Sequence, residues 1–280
     1  MKRNDTMKDL SATSLLQSRP IFCFDLDGTL LNEREEIHPA DRRILEEKNN
    51  SILFIPATGR TLESIQRTFR RNGLFTGGTL PFPLVLQNGS LLYRENEIFQ
   101  SYHPFQPEVQ EHLIDVALKF KQVTFLFMDA AGTYILSISS TGLAAAERYE
   151  FTTHFFTDAS RGLRFSKIMC IPEQPGDLDG FPEMIDSLPI ERAYSTSTIL
   201  ELTPQGIDKG VGVQHLIEAM HLSPRLIFAA GDAENDLPLA QIADRFFAPG
   251  NALEKVKSKA IILDDITRKG LLGSMMDHLS

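Results

Sequence analysis

Asp25 and Asp27 stand one residue apart at the end of an apolar run, Ile21-Phe22-Cys23-Phe24, and Gly28-Thr29 follows at once. Neighbouring side chains of a strand alternate faces, so both carboxylates point the same way where a buried strand stops. Two carboxylates that close repel each other unless a cation or a proton sits between them. Gly28 lets the backbone turn and approach a ligand, and the Thr29 hydroxyl with nearby N–H groups can take up anionic oxygens. The cluster reads as a metal site able to hold a phosphate group at Asp25. Asp-x-Asp-Gly also suits an acidic turn or a calcium loop, so a decision needs residues from elsewhere in the chain.

Other apolar runs end in comparable polar groups. Thr58-Gly59-Arg60 follows Ile52–Pro56, Gln87-Asn88-Gly89 follows Leu84–Leu86, and Gly231-Asp232-Ala233-Glu234-Asn235-Asp236 follows Leu226–Ala230. Asn235 and Asp236 suit a helix start, where caps and negative charge are favourable. Asp232 exceeds what a cap requires. Facing Asp25 and Asp27, it would complete an oxygen-rich site of the kind Mg²⁺ prefers. Thr58 is either a helix N-cap or, with the Gly59 amide, a binder of a phosphate oxygen. Asp208 reads as an N-cap, which places Lys209 in the first turn, against the helix dipole by ~0.3–1 kcal/mol. Lys209 is either a surface lysine or a cation aimed at the carboxylates, where it would neutralise nucleophile and phosphate together. Arg60 and Asn88 lie near the expected mouth as candidates for substrate contact, although Asn88 also suits a turn before Gly89.

The elements that must position these groups alternate in kind. Strand, helix, strand, helix, strand over residues 20–88, with unalternating apolar strands, predicts a parallel sheet covered on both faces. The pattern returns near residue 203, with a helix from Lys209, a buried strand at Arg225–Ala229, and further short strands and helices to the C-terminus. Between them lie hairpins and helices of α+β type. The expected architecture is therefore an α/β, doubly wound, Rossmann-like parallel-sheet core of residues 20–88 and 190–280. An α+β domain, residues 89–189, is inserted after the third strand. Ligands of open parallel sheets bind at the carboxyl ends of the strands, so the polar clusters are expected to converge on one crevice.

Composition sets the outer bounds. The 280 residues carry a net charge of −9 and are 42% apolar, which suits a globular chain and argues against a general nucleic-acid or anionic-membrane binder. Cys23 and Cys170 make no disulfide framework or zinc cluster. No apolar stretch approaches the ~20 residues of a membrane span. Residues 1–19 read as a loosely ordered leader without a signal-peptide core. A cytoplasmic location fits.

Asp-Leu-Asp-Gly-Thr-Leu-Leu (25–31), Ala-Thr-Gly-Arg (57–60), Lys-Gly (209–210) and Gly-Asp-x-x-Asn-Asp (231–236), in this order, resemble the four motifs of the haloacid dehalogenase superfamily. The Thr-Gly-Arg form, Gln-Asn-Gly after the third strand and the place of the insertion are similar to its Cof-type subgroup, with Ser90 and Pro56 as departures. The resemblance covers nearly all of residues 20–280. It implies a Rossmann-like core with a mobile cap and Mg²⁺-dependent phosphoryl transfer. Asp25 would be the nucleophile and Asp27 the general acid/base. Asp25, the Asp27 backbone carbonyl and Asp232 would hold the metal, supported by Asp236 and Asn235, while Thr58 and Lys209 bind phosphate. The spacing puts the cap after the second motif, and Asp27 points to phosphate esters rather than carbon–halogen bonds. The expected partner is a small phosphorylated metabolite. A phosphomutase of the same fold and a phospho-acceptor signalling domain are the competing readings.

Overall fold

The computed structural model describes residues 19–74, 80, 82–94, 97–98, 102–263 and 266–278. The expected leader, Arg19 apart, and the hairpin turn at Glu95-Asn96 lie outside the described residues. In chain order the first part runs β1 (Ile21–Phe24), α1 (Pro39–Lys48), β2 (Leu53–Pro56), α2 (Leu62–Arg71), β3 (Leu84–Leu86), β4 (Leu91–Arg94) and β5 (Glu97–Ile98). Next come α3 (Pro107–Ala117), β6 (Val123–Met128), β7 (Thr133–Leu136), α4 (Ser140–Arg148), β8 (Thr153–Phe155), β9 (Lys167–Pro172), β10 (Ile190–Tyr194) and β11 (Leu200–Pro204). The chain closes with α5 (Lys209–Ala219), β12 (Ile227–Ala230), α6 (Leu237–Ile242), β13 (Arg245–Pro249), β14 (Ile261–Leu263) and α7 (Leu271–Met276), besides single turns of helix.

The first sheet has the order β14-β13-β12-β1-β2 with every pair parallel, and β3 joins β2 through an Ala57–Val85 bridge. Its strands read as continuous apolar runs because both faces are covered. Phe22 and Phe24 of β1 pack with Ile65 and Phe69 of α2 and Leu272 of α7. Ile21 and Cys23 point the other way, toward Val213 and Leu216 of α5 and Leu239 of α6. From β1 the chain builds outward through β2 and β3, then returns to build outward on the other side from β12. The switch point therefore falls between β1 and β12, where such sheets open a crevice at their carboxyl ends. The register Phe24–Ala230 brings the last residues of both strands to the same level there.

The second sheet, β10-β11-β9-β6-β7-β8, is antiparallel except for the β7–β8 pair. One face packs under α3, with Phe125, Phe127, Ile168 and Cys170 against Val109 and Leu113. The opposite face carries Leu126, Met169, Tyr149 and Phe151. By the two-residue period of a strand, Lys167 of β9 lies on the same face as Met169, and Glu201 of β11 sits opposite Met169.

Strand pairing moves both expected crossings between core and insertion. β4 pairs with β3, and its Leu91 and Tyr93 are buried in the first sheet's apolar layer, so the chain leaves the core near residue 103 rather than at 89. Ile190–Pro204 pairs with β9, and the return to the core follows Pro204 rather than residue 190. An apolar strand such as Ile199–Leu202 suits either sheet. Its partner was decided by the Leu200–Cys170 register, which the local sequence does not carry. Among the described residues no helix is long and apolar enough to cross a membrane.

Candidate active site

Asp25 leaves β1 with its N–H on the Ala230 carbonyl at 3.0 Å, which fixes its side chain beside the β12 loop. Asp208 caps α5 by accepting from the Val211 N–H at 2.8 Å. The following residue, Lys209, is buried and turned inward. Its ammonium donates to Asp25 Oδ1 and Asp236 Oδ1, each at 2.6 Å. Both oxygens of Asp236 are occupied, since Oδ2 accepts from the Asp232 and Ala233 N–H groups at 2.9 and 3.0 Å. Asp236 thus fastens the loop that presents Asp232. Asp232 accepts from the Thr29 hydroxyl at 2.8 Å.

Burial, then Asp236, Asp232 and Asp27, push the Asp25 carboxyl well above its ordinary range, with Lys209 opposing. Burial first and Asp236 second raise Asp232 to about 7. Burial disfavours the Lys209 cation, but Asp236 and Asp25 outweigh it and hold the amine above its ordinary value. The donor set fits a hard divalent ion. Asp25, Asp232 and Asp236 each offer an oxygen within 4.8 Å of the others. In Asp25 and Asp232 only Oδ1 meets a side-chain partner, and a cation between them would offset the burial and the neighbouring carboxylates that raise them. The backbone makes room: Gly28 has φ 79°, and a Cβ there would lie 2.5 Å from Asp232 Oδ2.

Asp27 points to the other side of the crevice. Arg60 grips it with Nε on Oδ2 at 2.8 Å and Nη2 on Oδ1 at 2.5 Å. The same guanidinium bonds Glu35 and, at 2.8 Å, the Thr68 hydroxyl. Arg60, expected near the mouth, is buried, and its donors are spent on the protein because α2 and the Glu35 turn enclose it. Thr58 is buried, and its hydroxyl accepts from the Arg60 N–H at 3.2 Å. The cap of α2 is instead Thr61, which accepts from the Ser64 N–H at 3.3 Å. Asn88 adopts the left-handed region at φ 56°, so it is a turn residue whose amide also faces the crevice.

Two residues missed in the sequence complete the site. Lys167 donates to the Gly59 carbonyl at 2.9 Å and to Glu201 Oε1 at 2.8 Å. Glu201 Oε2 accepts from Asn88 at 2.6 Å and Asn235 at 3.1 Å. All four side chains are buried. Burial lowers the Lys167 amine. For Glu201 burial acts upward, but Lys167 and Asn88 outweigh it and keep the carboxyl below its ordinary range. The available signal was a single charge inside each apolar strand, in Phe165–Ile171 and Ile199–Leu202. Tyr149, Phe151 and Met169 of the second sheet's inner face close over Asp25 and Asp27, leaving a cavity of about 40 Å³.

The structure therefore brings Asp25, Asp27, Thr58, Gly59, Arg60, Asn88, Lys209, Asp232, Asn235 and Asp236 to one crevice, with the Asp27 and Arg60 side chains paired to each other. It can offer a carboxylate nucleophile, a second carboxylate beside it, a buried cation and oxygen ligands for a metal.

Known proteins match along nearly the whole chain. "Endoribonuclease YBEY, chloroplastic" of Arabidopsis thaliana is 27% identical over 268 residues, 87% of this chain but 43% of that protein, so the chain spans less than half of its length. The 5-amino-6-(5-phospho-D-ribitylamino)uracil phosphatase YitU of Bacillus subtilis is 24% identical over 260 residues, covering 88% of this chain and 92% of YitU. The crystal structure of TM0651 from Thermotoga maritima superposes with a TM-score of 0.76 at 26% identity, over 94% of this chain and 98% of TM0651. The haloacid dehalogenase-like hydrolase family model matches residues 22–270, and the chain belongs to that family.

Proposed function

We propose that the chain is a Mg²⁺-dependent phosphatase of small phosphate monoesters, with Asp25 as the nucleophile. The observation that carries the reading is the meeting of Asp25, Asp232 and Asp236, from opposite ends of the chain, around one buried lysine. YitU and its name as a phosphatase agree with it.

In the first step an Asp25 carboxylate oxygen bonds to phosphorus as the ester P–O bond breaks, and the leaving oxygen takes a proton from Asp27. In the second, Asp27 removes a proton from water, which attacks the aspartyl-phosphate and frees phosphate and Asp25. Lys209 balances charge on the nucleophile and on the phosphoryl oxygens, and phosphoryl transfer depends chiefly on such positioning and charge. As a base, Asp27 suits its present pairing with Arg60. As an acid, it must give up one of those two hydrogen bonds, so proton delivery requires a small turn of its carboxyl. Mg²⁺ held by Asp25 and Asp232, with the Asp27 main-chain carbonyl, would neutralise phosphoryl oxygens. A cavity of about 40 Å³ has room for roughly one to a few waters, so an ester enters only as the second sheet lifts from the first. The cap then recloses and excludes bulk water, keeping the one that hydrolyses the intermediate.

The test is phosphate release from a panel of esters, with and without Mg²⁺, by wild type and Asp25→Asn. Asp25→Asn is expected to lose at least ~10³-fold. No release from any ester by wild type, or full activity in Asp25→Asn, would end the proposal. Isomerisation of glucose 1-phosphate with little free phosphate would replace hydrolysis by mutase chemistry.

A further inference from the structure

A guanidinium has five N–H donors, and those of Arg60 all meet acceptors of the fold. Nε donates to Asp27 Oδ2 at 2.8 Å, and Nη1 to the hydroxyls of Thr68 and Ser64 at 2.8 and 3.4 Å. Nη2 stands between two carboxylates, Asp27 Oδ1 at 2.5 Å and Glu35 Oε2. Glu35 lies outside the four motifs, and its backbone is in the left-handed region at φ 60°. A residue other than glycine stays there only where its surroundings hold it. They do so here: the Glu35 N–H bonds the Asn32 carbonyl at 2.9 Å, and the Glu35 carbonyl accepts from the Asn72 amide at 3.0 Å. The carboxylate that this turn sends inward faces two further cations. Arg148 Nε of the cap is 3.4 Å from Oε1, and Arg71 Nη2 is 3.8 Å from Oε2.

We infer that Glu35 is a positioning residue for proton delivery by Asp27, and that Arg148 holds it in that role. This rests on the phosphatase reading, in which Asp27 protonates the leaving oxygen as the ester P–O bond breaks. A carboxyl oxygen that carries a proton accepts poorly from a guanidinium, so one of the two Asp27–Arg60 bonds must open. Release of Oδ2 would strand Nε, a buried N–H with that single acceptor. Release of Oδ1 leaves Nη2 with a charged acceptor, Glu35. Oδ1 is therefore the atom that turns to the ester and gives up the proton, while Oδ2 stays on Nε as the pivot. Glu35 keeps Nη2 only while its own carboxylate is fixed. Without Arg148 on Oε1 it swings toward Arg71 at the surface, and Nη2 falls back to Asp27 alone.

The test uses two leaving groups. p-Nitrophenolate departs without a proton, whereas an aliphatic alkoxide needs one. The quantity is kcat/KM, which runs only to release of the alcohol and so excludes the later work of Asp27 as a base. It is measured with Mg²⁺ on p-nitrophenyl phosphate and on the fastest aliphatic ester of the panel, in wild type, Glu35→Gln, Arg148→Met and the double variant. Each single variant is expected to lose at least ~10-fold on the aliphatic ester, the scale of a misplaced reacting group, and less than about 3-fold on p-nitrophenyl phosphate, which does without the acid. The double variant should lose no more than Glu35→Gln, because Arg148 acts through Glu35. Arg148 is half-exposed, so its replacement should fold, and the selective loss in Arg148→Met decides even if Glu35→Gln does not fold. Equal losses on both esters would mark Arg148 and Glu35 as a clasp for the cap alone and overturn the inference. No loss on the aliphatic ester, or losses that multiply in the double variant, would overturn it too, and all three results leave the phosphatase standing. No release from either ester by wild type would overturn both.

Discussion

Arg60 meets Asp27 side-on, with two nitrogens on two oxygens at 2.8 and 2.5 Å, while Asp25 lines the same crevice and is bonded instead to Lys209. The guanidinium also lies 5.4 Å from the Tyr149 ring centroid, and Glu35, its second carboxylate, is 3.4 Å from Arg148 of α4. The orientation of Asp27 is thus tied, through one arginine, to residues of the cap.

Replacing that arginine tests the tie. A lysine keeps the charge but not the planar fork, so Arg60→Lys should leave Asp27 free to rotate. Its kcat is expected to fall roughly 10- to 100-fold, the size of effect a misplacement of about 1 Å produces, with a smaller change in KM. Arg60→Ala strands Glu35 as a buried carboxylate beside the half-buried Asp27 and should cost about 3–5 kcal/mol in urea unfolding. Unchanged kcat in Arg60→Lys would show that the fork does not position the acid/base.

Lys209 is the only cation bonded to Asp25 and to Asp236 among the described contacts. Lys209→Met removes it and leaves two carboxylates buried together, a change expected to destabilise the fold by about 3–5 kcal/mol at pH 7. Asp25→Asn is expected to behave oppositely, because Lys209 keeps Asp236 and one buried charge disappears. Its urea midpoint should equal or exceed that of wild type. A destabilised Asp25→Asn would show that the ion pair supports the fold more than it burdens it.

Gly28 offers a test of the metal reading that needs no turnover. Its φ of 79° is strained for any L side chain, and an added Cβ would press on Asp232 Oδ2 from 2.5 Å. Gly28→Ala should fold, with a loss of about 1–2 kcal/mol for the left-handed backbone. Mg²⁺ affinity, read by calorimetry, should weaken roughly 10- to 100-fold as Asp232 is displaced, the range seen when a group that orients a metal ligand is lost. Equal affinity in both proteins would remove Asp232 from the ligand set.

The core site was legible because most of its residues follow an apolar strand and the parallel-sheet rule says where strand ends meet. Asp25 and Asp232 could be placed on that rule without knowing a single distance, whereas Lys209 was readable only as the first-turn residue after the Asp208 cap, a cation either on the surface or aimed at the carboxylates. Lys167 and Glu201 were not, since their role depends on how the second sheet docks on the first, and docking leaves no local pattern. Arg60 shows the intermediate case. Its position was readable, but whether a guanidinium faces solvent or a carboxylate depends on Glu35 and Thr68, which approach it from elsewhere in the fold. The expected return to the core at residue 190 falls ahead of the β10–β11 pair for the same reason, because which sheet a strand joins is a tertiary property.

The linker between core and cap supplies a pH prediction. His103 follows β5, its N–H bonds the Ser90 carbonyl at 3.2 Å, and its ring lies 5.7 Å from that of His215 on α5. Burial first, and His215 second, hold its imidazole below the ordinary 6.5. The unfolded chain therefore binds a proton at a pH where the folded chain does not. His103 contributes its full stability above about pH 6.5 and loses it as pH falls through the window below. Asp232 and Asp41, held at about 7 and about 6, act with the opposite sign in the same range, so the slope of wild type alone decides nothing. The readout is the difference between wild type and His103→Gln in urea midpoint, measured at pH 7.5 and at pH 5.5. Acidification should cost wild type more than the variant, and an equal cost in both would show that His103 takes up its proton in the folded state as readily as in the unfolded one.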